Sequence, residues 1–82
     1  MNLPSLSKRR TLVVKSLGKG PKSVSEIRKD TDLPQTTVYR YLKSFARGGL
    51  VEKVEGQRYA LTSKGRMAYG YILENNVNYL SR

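Results

Sequence analysis

A chain of 82 residues carrying a net charge of +10, from 16 Lys+Arg against 6 Asp+Glu, is one domain near the low end of the size that folds alone. Such an excess costs self-repulsion in the compact state unless an anionic partner relieves it, which makes nucleic acid the first candidate and an anionic membrane surface the second. With no cysteine and no histidine there is no disulfide framework, no soft-metal site and neither imidazole nor thiolate for catalysis.

Hydrophobic residues make up 38%, enough for a compact but small core to which a second copy would add buried surface. No apolar run approaches the roughly 20 residues that a membrane span needs. Near the N-terminus only Leu12, Val13 and Val14 follow the basic residues before Lys15 intervenes, which argues against a secretory signal. Cytoplasmic residence fits this composition, with the nucleoid or a host cytoplasm as the finer possibilities.

Met1 to Ser7 reads as a lead-in. A first helix is expected from about Lys8 to Leu17, burying Val13, Val14 and Leu17 and leaving Lys8, Arg9, Arg10 and Lys15 solvated. Gly18-Lys19-Gly20-Pro21 ends it, because glycine caps helix C-termini and proline cannot continue a helix. The basic cluster at its start is read as a solvated face, with phosphate contact as the alternative.

Ser23-Val24-Ser25-Glu26 matches a capping box, with Ser23 as N-cap and Glu26 reaching back. The helix it opens is short and ends near Asp30 or Thr31. Thr31-Asp32-Leu33 forms a turn plugged by Leu33, and Pro34 pre-sets the next helix start. Two short helices joined by such a turn make a helix-turn-helix.

The stretch from Leu33 to Leu50 holds the third helix, stopped by Gly48-Gly49. Val38, Leu42 and Phe45 fall at i, i+4 and i+7 and share a buried face. Thr36, Tyr39, Arg40, Lys43 and Arg47 are thrown to the other side, and no carboxylate occurs between Asp32 and Glu52. Tyr41 is assigned to packing; Tyr39 divides between packing and phosphate contact. A helix that is buried on one side and basic on the other can lie against a polyanion.

Leu50 to Val54 alternates partly as a strand, Glu55-Gly56-Gln57 turns, and Arg58 to Leu61 returns, giving a two-stranded hairpin. Thr62 caps a final helix, about Ser63 to Tyr79, with Tyr69, Leu73, Val77 and Leu80 along one stripe and Ile72 and Asn76 adjoining. Met67 and Tyr71 broaden its apolar surface beyond the needs of one small core. That helix is read as a dimer interface, the alternative being a fourth core helix. Asn75, Asn76 and Asn78 make its polar end, where an Asn in an apolar seam can fix register.

No enzyme is expected. Glu26, Asp30 and Asp32 are close in sequence, yet Glu26 is taken by the cap and no cleft is in view. Gly18-x-Gly20 lacks the preceding strand that a nucleotide-binding fingerprint requires. Neither a cofactor nor a metal site is indicated.

The order of these elements over residues 12 to 65, closing on Tyr59-Ala60-Leu61-Thr62-Ser63-Lys64-Gly65, resembles the winged helix-turn-helix DNA-binding domains of small archaeal and viral regulators of the ArsR, MarR and PadR sort. The resemblance implies an α+β, mostly α fold, with residues 1–65 as the DNA-binding domain and 66–82 as a dimerisation helix continuous with it. It further implies a sequence-specific regulator of double-stranded DNA, expected as a repressor and homodimer. Gln35, Thr36, Thr37 and Arg40 occupy the part of the recognition helix that reaches base edges in such docking. Arg40 and Gln35 are the expected base readers, since Arg pairs with guanine and Gln with adenine. Thr36, Thr37, Tyr39, Lys43 and Ser44 are expected phosphate contacts, Arg47 a positioning charge, and Gln57 and Arg58 wing residues for the minor groove. Lys53 is placed at phosphate, while Glu52 and Glu55 oppose DNA approach. The metal-binding Cys and His of ArsR sensors and the ligand-pocket segments of larger MarR-like proteins are missing, so no small-molecule effector is expected. Rival readings are an architectural protein that coats DNA without sequence preference, and a winged-helix protein-interaction module; RNA binding is a weaker third.

Overall fold

The computed structural model describes residues 8–80, with side chains described as far as residue 74. The lead-in at Met1 to Ser7 and the side chains of Asn75, Asn76, Val77, Asn78 and Leu80 lie outside what is described. The element order is α1 (Lys8–Gly18), β1 (Lys22–Ser23), α2 (Val24–Thr31), α3 (Gln35–Arg47), β2 (Val51–Val54), β3 (Arg58–Leu61) and α4 (Ser63–Leu80). This is the winged helix-turn-helix arrangement expected from the sequence, with one addition. The sheet has three antiparallel strands in the order β1-β3-β2, because Lys22 and Ser23 pair with Tyr59 and Arg58. The wing is therefore not a free two-stranded hairpin. Its returning strand is hydrogen-bonded on both sides, and β1 ties it directly to the start of α2.

Every helix and both longer strands contribute to one core: Val13, Val14 and Leu17 of α1, Ile27 of α2, Val38, Leu42 and Phe45 of α3, Val51, Leu61 and Ile72, with Leu33 plugging the turn. Each such side chain stabilises by about 1.5–3 kcal/mol when fully buried. The capping box of α2 is complete: the Glu26 N–H donates to Ser23 Oγ at 3.2 Å and the Ser23 N–H to Glu26 Oε1 at 2.9 Å.

The helix-turn-helix corner closes through local bonds. Asp32 adopts the left-handed conformation, φ 61°, and its N–H donates to the Arg28 carbonyl at 2.7 Å. The buried Thr31 hydroxyl donates to the Ile27 carbonyl at 2.8 Å and accepts from the Leu33 N–H at 3.3 Å.

Two expectations are corrected by packing. α1 runs on to Gly18, and the glycine with positive φ is Gly20, at 137°. Gly18 has another purpose: the Tyr69 ring of α4 lies where a Cβ would stand. Tyr69 is thus packed against the core, Ile72 is inside it, and among the described residues of the expected outer apolar surface Met67 and Leu73 stand exposed, at 76% and 42%. The stripe divides because residues 69 and 72 fall on the inner side of α4 and residue 73 on the outer.

Candidate nucleic-acid interface

α3 is held from three directions, which decides what it can present. At its start the Val38 N–H donates to the Pro34 carbonyl at 3.0 Å, so the turn feeds straight into the helix. At its end the Gly48 and Gly49 N–H groups return to Ser44 and Ala46 carbonyls, and Lys64 Nζ donates to the Gly48 carbonyl at 3.0 Å. Behind it, the Arg10 guanidinium lies 5.1 Å from the centroid of the Tyr41 ring, which itself leans on Phe45. Tyr41 is a packing residue, as its place beside the buried stripe implies.

With that back face fixed, Gln35, Thr36, Tyr39, Arg40, Lys43 and Arg47 are exposed together on the opposite side of α3, and Ser44 is half-buried. Thr37 does not join them. It is 9% exposed and lies with Val38 on the inner side, one and two turns ahead of Tyr41 and Phe45. The inner stripe is one residue wider than the Val38, Leu42, Phe45 spacing suggested, and Thr37 is its polar margin.

The wing turns through Glu55–Gln57, with Gly56 at φ 71° and Gln57 at φ 56°. Gln57 is a non-glycine residue in the left-handed region, a strained conformation concentrated at functional loops. Arg58 is exposed, but its Nε donates to the Glu55 carbonyl at 3.2 Å, so its guanidinium is folded against the wing tip. Lys53 Nζ sits 6.0 Å from the centroid of the cross-strand Tyr59 ring. Strand alternation places Glu52, paired with Ala60, on the other face. Of the two acids expected to oppose an anion at the wing, Glu52 therefore points away from Lys53, while Glu55 stays in the exposed turn.

A groove of about 290 Å³ lies between the wing and the helix-turn-helix. Gln35 and Tyr39 line it from α3, Lys53, Gln57 and Tyr59 from the wing, and Ser23, Val24, Ser25 and Arg28 from the start of α2. The α2 residues are absent from the expected interface. Their signal is in the sequence: Val24, Ile27 and Thr31 take the inner face of α2, which leaves Ser25, Arg28 and Lys29 outward at helical spacing. The structure joins Gln35, Tyr39 and Gln57 along this groove, with Arg40, Lys43 and Arg47 continuing along the exposed side of α3.

Two acids of α2 near this surface are committed elsewhere. Bonding from the Ser23 backbone N–H holds the Glu26 carboxyl below its ordinary value of 4.5. Asp30 accepts from the Ser16 hydroxyl at 2.7 Å and pairs with Lys22 at 3.3 Å, and the Ser16 bond is the main cause that holds it below 3.8. Among the described residues no group of acids is placed to hold a metal ion, and no helix is long and apolar enough to cross a membrane.

Comparison with known proteins agrees with this geometry. A family described as the HVO_A0261 N-terminal domain matches residues 2–76. A search of curated proteins returns no match. Among solved structures, the chain is similar to the MarR family regulator SPO1453 of Silicibacter pomeroyi, at 20% identity and TM-score 0.83 over 96% of this chain and 60% of that one. It is similar to NMB1585, a MarR family regulator of Neisseria meningitidis, at 28% identity and TM-score 0.75 over 95% of this chain and 59% of that one. A third is BpsR of Bordetella bronchiseptica, whose DNA binding is regulated by 6-hydroxynicotinic acid, at 19% identity and TM-score 0.80 over 90% of this chain and 57% of that one. The chain thus spans less than two thirds of each of these proteins, and what it shares with them is the winged-helix fold.

Proposed function

The chain belongs to the HVO_A0261 N-terminal domain family, and from that premise we propose that it is a double-stranded-DNA-binding transcriptional regulator that lays α3 in a major groove. The observation that carries the reading is the outer face of α3: Gln35, Thr36, Tyr39, Arg40, Lys43 and Arg47 stand exposed together, with no carboxylate among them. Arg40 and Gln35 read base edges from the first two turns. Thr36, Tyr39, Lys43, Ser44 and Arg47 position the helix on phosphates, and Gln57 and Arg58 carry the wing toward the minor groove.

Residues 1–65 form the DNA-binding unit in this reading, and 66–82 a dimerisation helix continuous with it. Two copies related by a two-fold axis would present recognition helices to successive major grooves about 34 Å apart, and repression would follow from occlusion of a promoter. No effector and no reaction are assigned.

The test is selection of binding sites from a random DNA pool. Arg40→Ala should then weaken the selected site by about 1–3 kcal/mol and leave random duplex little changed. Equal losses on both would remove the specificity from the reading. The net charge of +10 supports a second reading, a protein that coats DNA without sequence preference. A pool that yields no consensus would favour it.

A further inference from the structure

We propose that the groove between α2, the start of α3 and the wing seats one phosphate of the DNA backbone, gripped from facing walls by Arg28 of α2 and Lys53 of β2. The proposal rests on the DNA-binding reading and names a contact which that reading does not require.

Three features carry it. First, no carboxylate lines the groove, so the two cations that enter it repel one another until an anion arrives. Among the described residues neither takes part in an ion pair. Along α2, Glu26 is drawn off to the Ser23 N–H and Asp30 to Ser16 and Lys22, while Asp32, one turn beyond Arg28, stands outside the groove. Second, the remaining polar groups are neutral, and apart from Ser23 and Tyr59 they comprise the Ser25 and Tyr39 hydroxyls and the Gln35 and Gln57 amides, all able to donate. An Arg fork, an ammonium and hydroxyl donors around one small volume are the chemistry of phosphate recognition, in which Arg supplies paired N–H donors and Lys a point charge. Third, the groove shares Gln35 and Tyr39 with the exposed side of α3. A duplex resting on that side must pass its backbone over the opening, which makes a phosphodiester of DNA the occupant.

The seat also gives the added strand a purpose. β1 hydrogen-bonds the wing to the cap of α2, so Arg28 and Lys53 are carried on elements tied to each other. One phosphate held between them would fix the register of α3 against the wing.

The experiment is titration of a short random-sequence duplex across a range of salt, by fluorescence anisotropy, with wild type, Arg28→Gln, Lys53→Gln, the double variant and Lys19→Gln as control. Both groove residues are exposed, and circular dichroism checks that the folds are unchanged. Each phosphate neutralised adds about 0.9 to the slope of log K against log[salt]. If Arg28 and Lys53 share one phosphate, the double variant loses about 0.9 of slope, no more than a single contact is worth, and Lys19→Gln keeps the wild-type slope. Overturning results are an additive loss near 1.8 in the double variant, an unchanged affinity in Arg28→Gln, or a control that falls as far. An unchanged Arg28→Gln beside an Arg40→Ala that is weakened on its selected site would bring down the groove alone. A wild type with no duplex affinity would bring down the DNA-binding reading and the groove together.

Discussion

At the residue scale, the acids of this basic chain have structural duties, and acid should expose them. Asp30 is held ionised mainly by the Ser16 hydroxyl and secondarily by Lys22, and Glu26 mainly by the Ser23 backbone N–H. A carboxyl whose pKa is lower folded than unfolded stabilises the fold fully above its unfolded value, and that contribution is lost as pH falls through the folded value. The loss therefore begins below about 4.5 for Glu26 and 3.8 for Asp30. Thermal unfolding followed from pH 7 to pH 3 should show Tm falling in that window. Asp30→Asn should have a lower Tm at pH 7 and a shallower fall, since it has no proton to take up; a fall as steep as wild type would deny Asp30 its part. Gly65 makes a second residue-scale case. A Cβ there would run into the Leu50 carbonyl oxygen, which is already held by the Thr62 N–H at 3.0 Å and cannot swing away. Gly65→Ala should cost about 1–3 kcal/mol or more, read as a lower urea midpoint at unchanged slope.

At the element scale, Ser23 caps α2 with its side chain and stands in β1 opposite Arg58 through its backbone, so one residue serves a helix and the sheet. Ser23→Ala should cost about 1 kcal/mol, as lost N-caps do. Amide exchange should quicken in the first turn of α2 and in β3 alike. Quickening confined to α2 would show that the wing holds without the cap. The cap was readable in advance because its partners are three residues apart, and the α3 stop and the wing turn were readable for the same reason. β1 was not: two residues after Pro21 carry no period of their own and become a strand only when Tyr59 and Arg58 arrive from far along the chain. Thr37 and Tyr69 failed differently. Each sits at the margin of a helical stripe, where a spacing argument cannot say whether the neighbouring element reaches far enough to cover it. α1 does reach Tyr69, by way of a glycine that leaves room for its ring. The recognition face was legible through the absence of acids, whereas Arg28 was hidden because its importance depends on the wing folding back toward α2.

At the scale of the whole molecule, a +10 charge and an apolar outer side of α4 pull association between copies in opposite directions. Met67 and Leu73 stand exposed there, flanking Gly70, at which an added Cβ would meet nothing within 4 Å in the same chain. A mid-helix glycine costs about 0.8–1.0 kcal/mol relative to alanine, and among the described residues no contact at Gly70 offsets that cost. A second α4 crossing close at Gly70 would offset it, since the missing side chain lets two backbones approach and brings Met67 and Leu73 against the partner. Mutual repulsion opposes that association and should weaken with salt, because the Debye length shrinks from about 10 Å at 0.1 M to about 3 Å at 1 M. Sedimentation should therefore find more dimer as salt rises, and Leu73→Glu should remain monomeric and folded throughout. The same variant should keep its affinity for a single half-site and lose the gain that a palindromic pair of half-sites gives wild type. A Leu73→Glu protein that still dimerises, or a wild type that stays monomeric on palindromic DNA at high micromolar concentration, would place the partner surface somewhere other than α4.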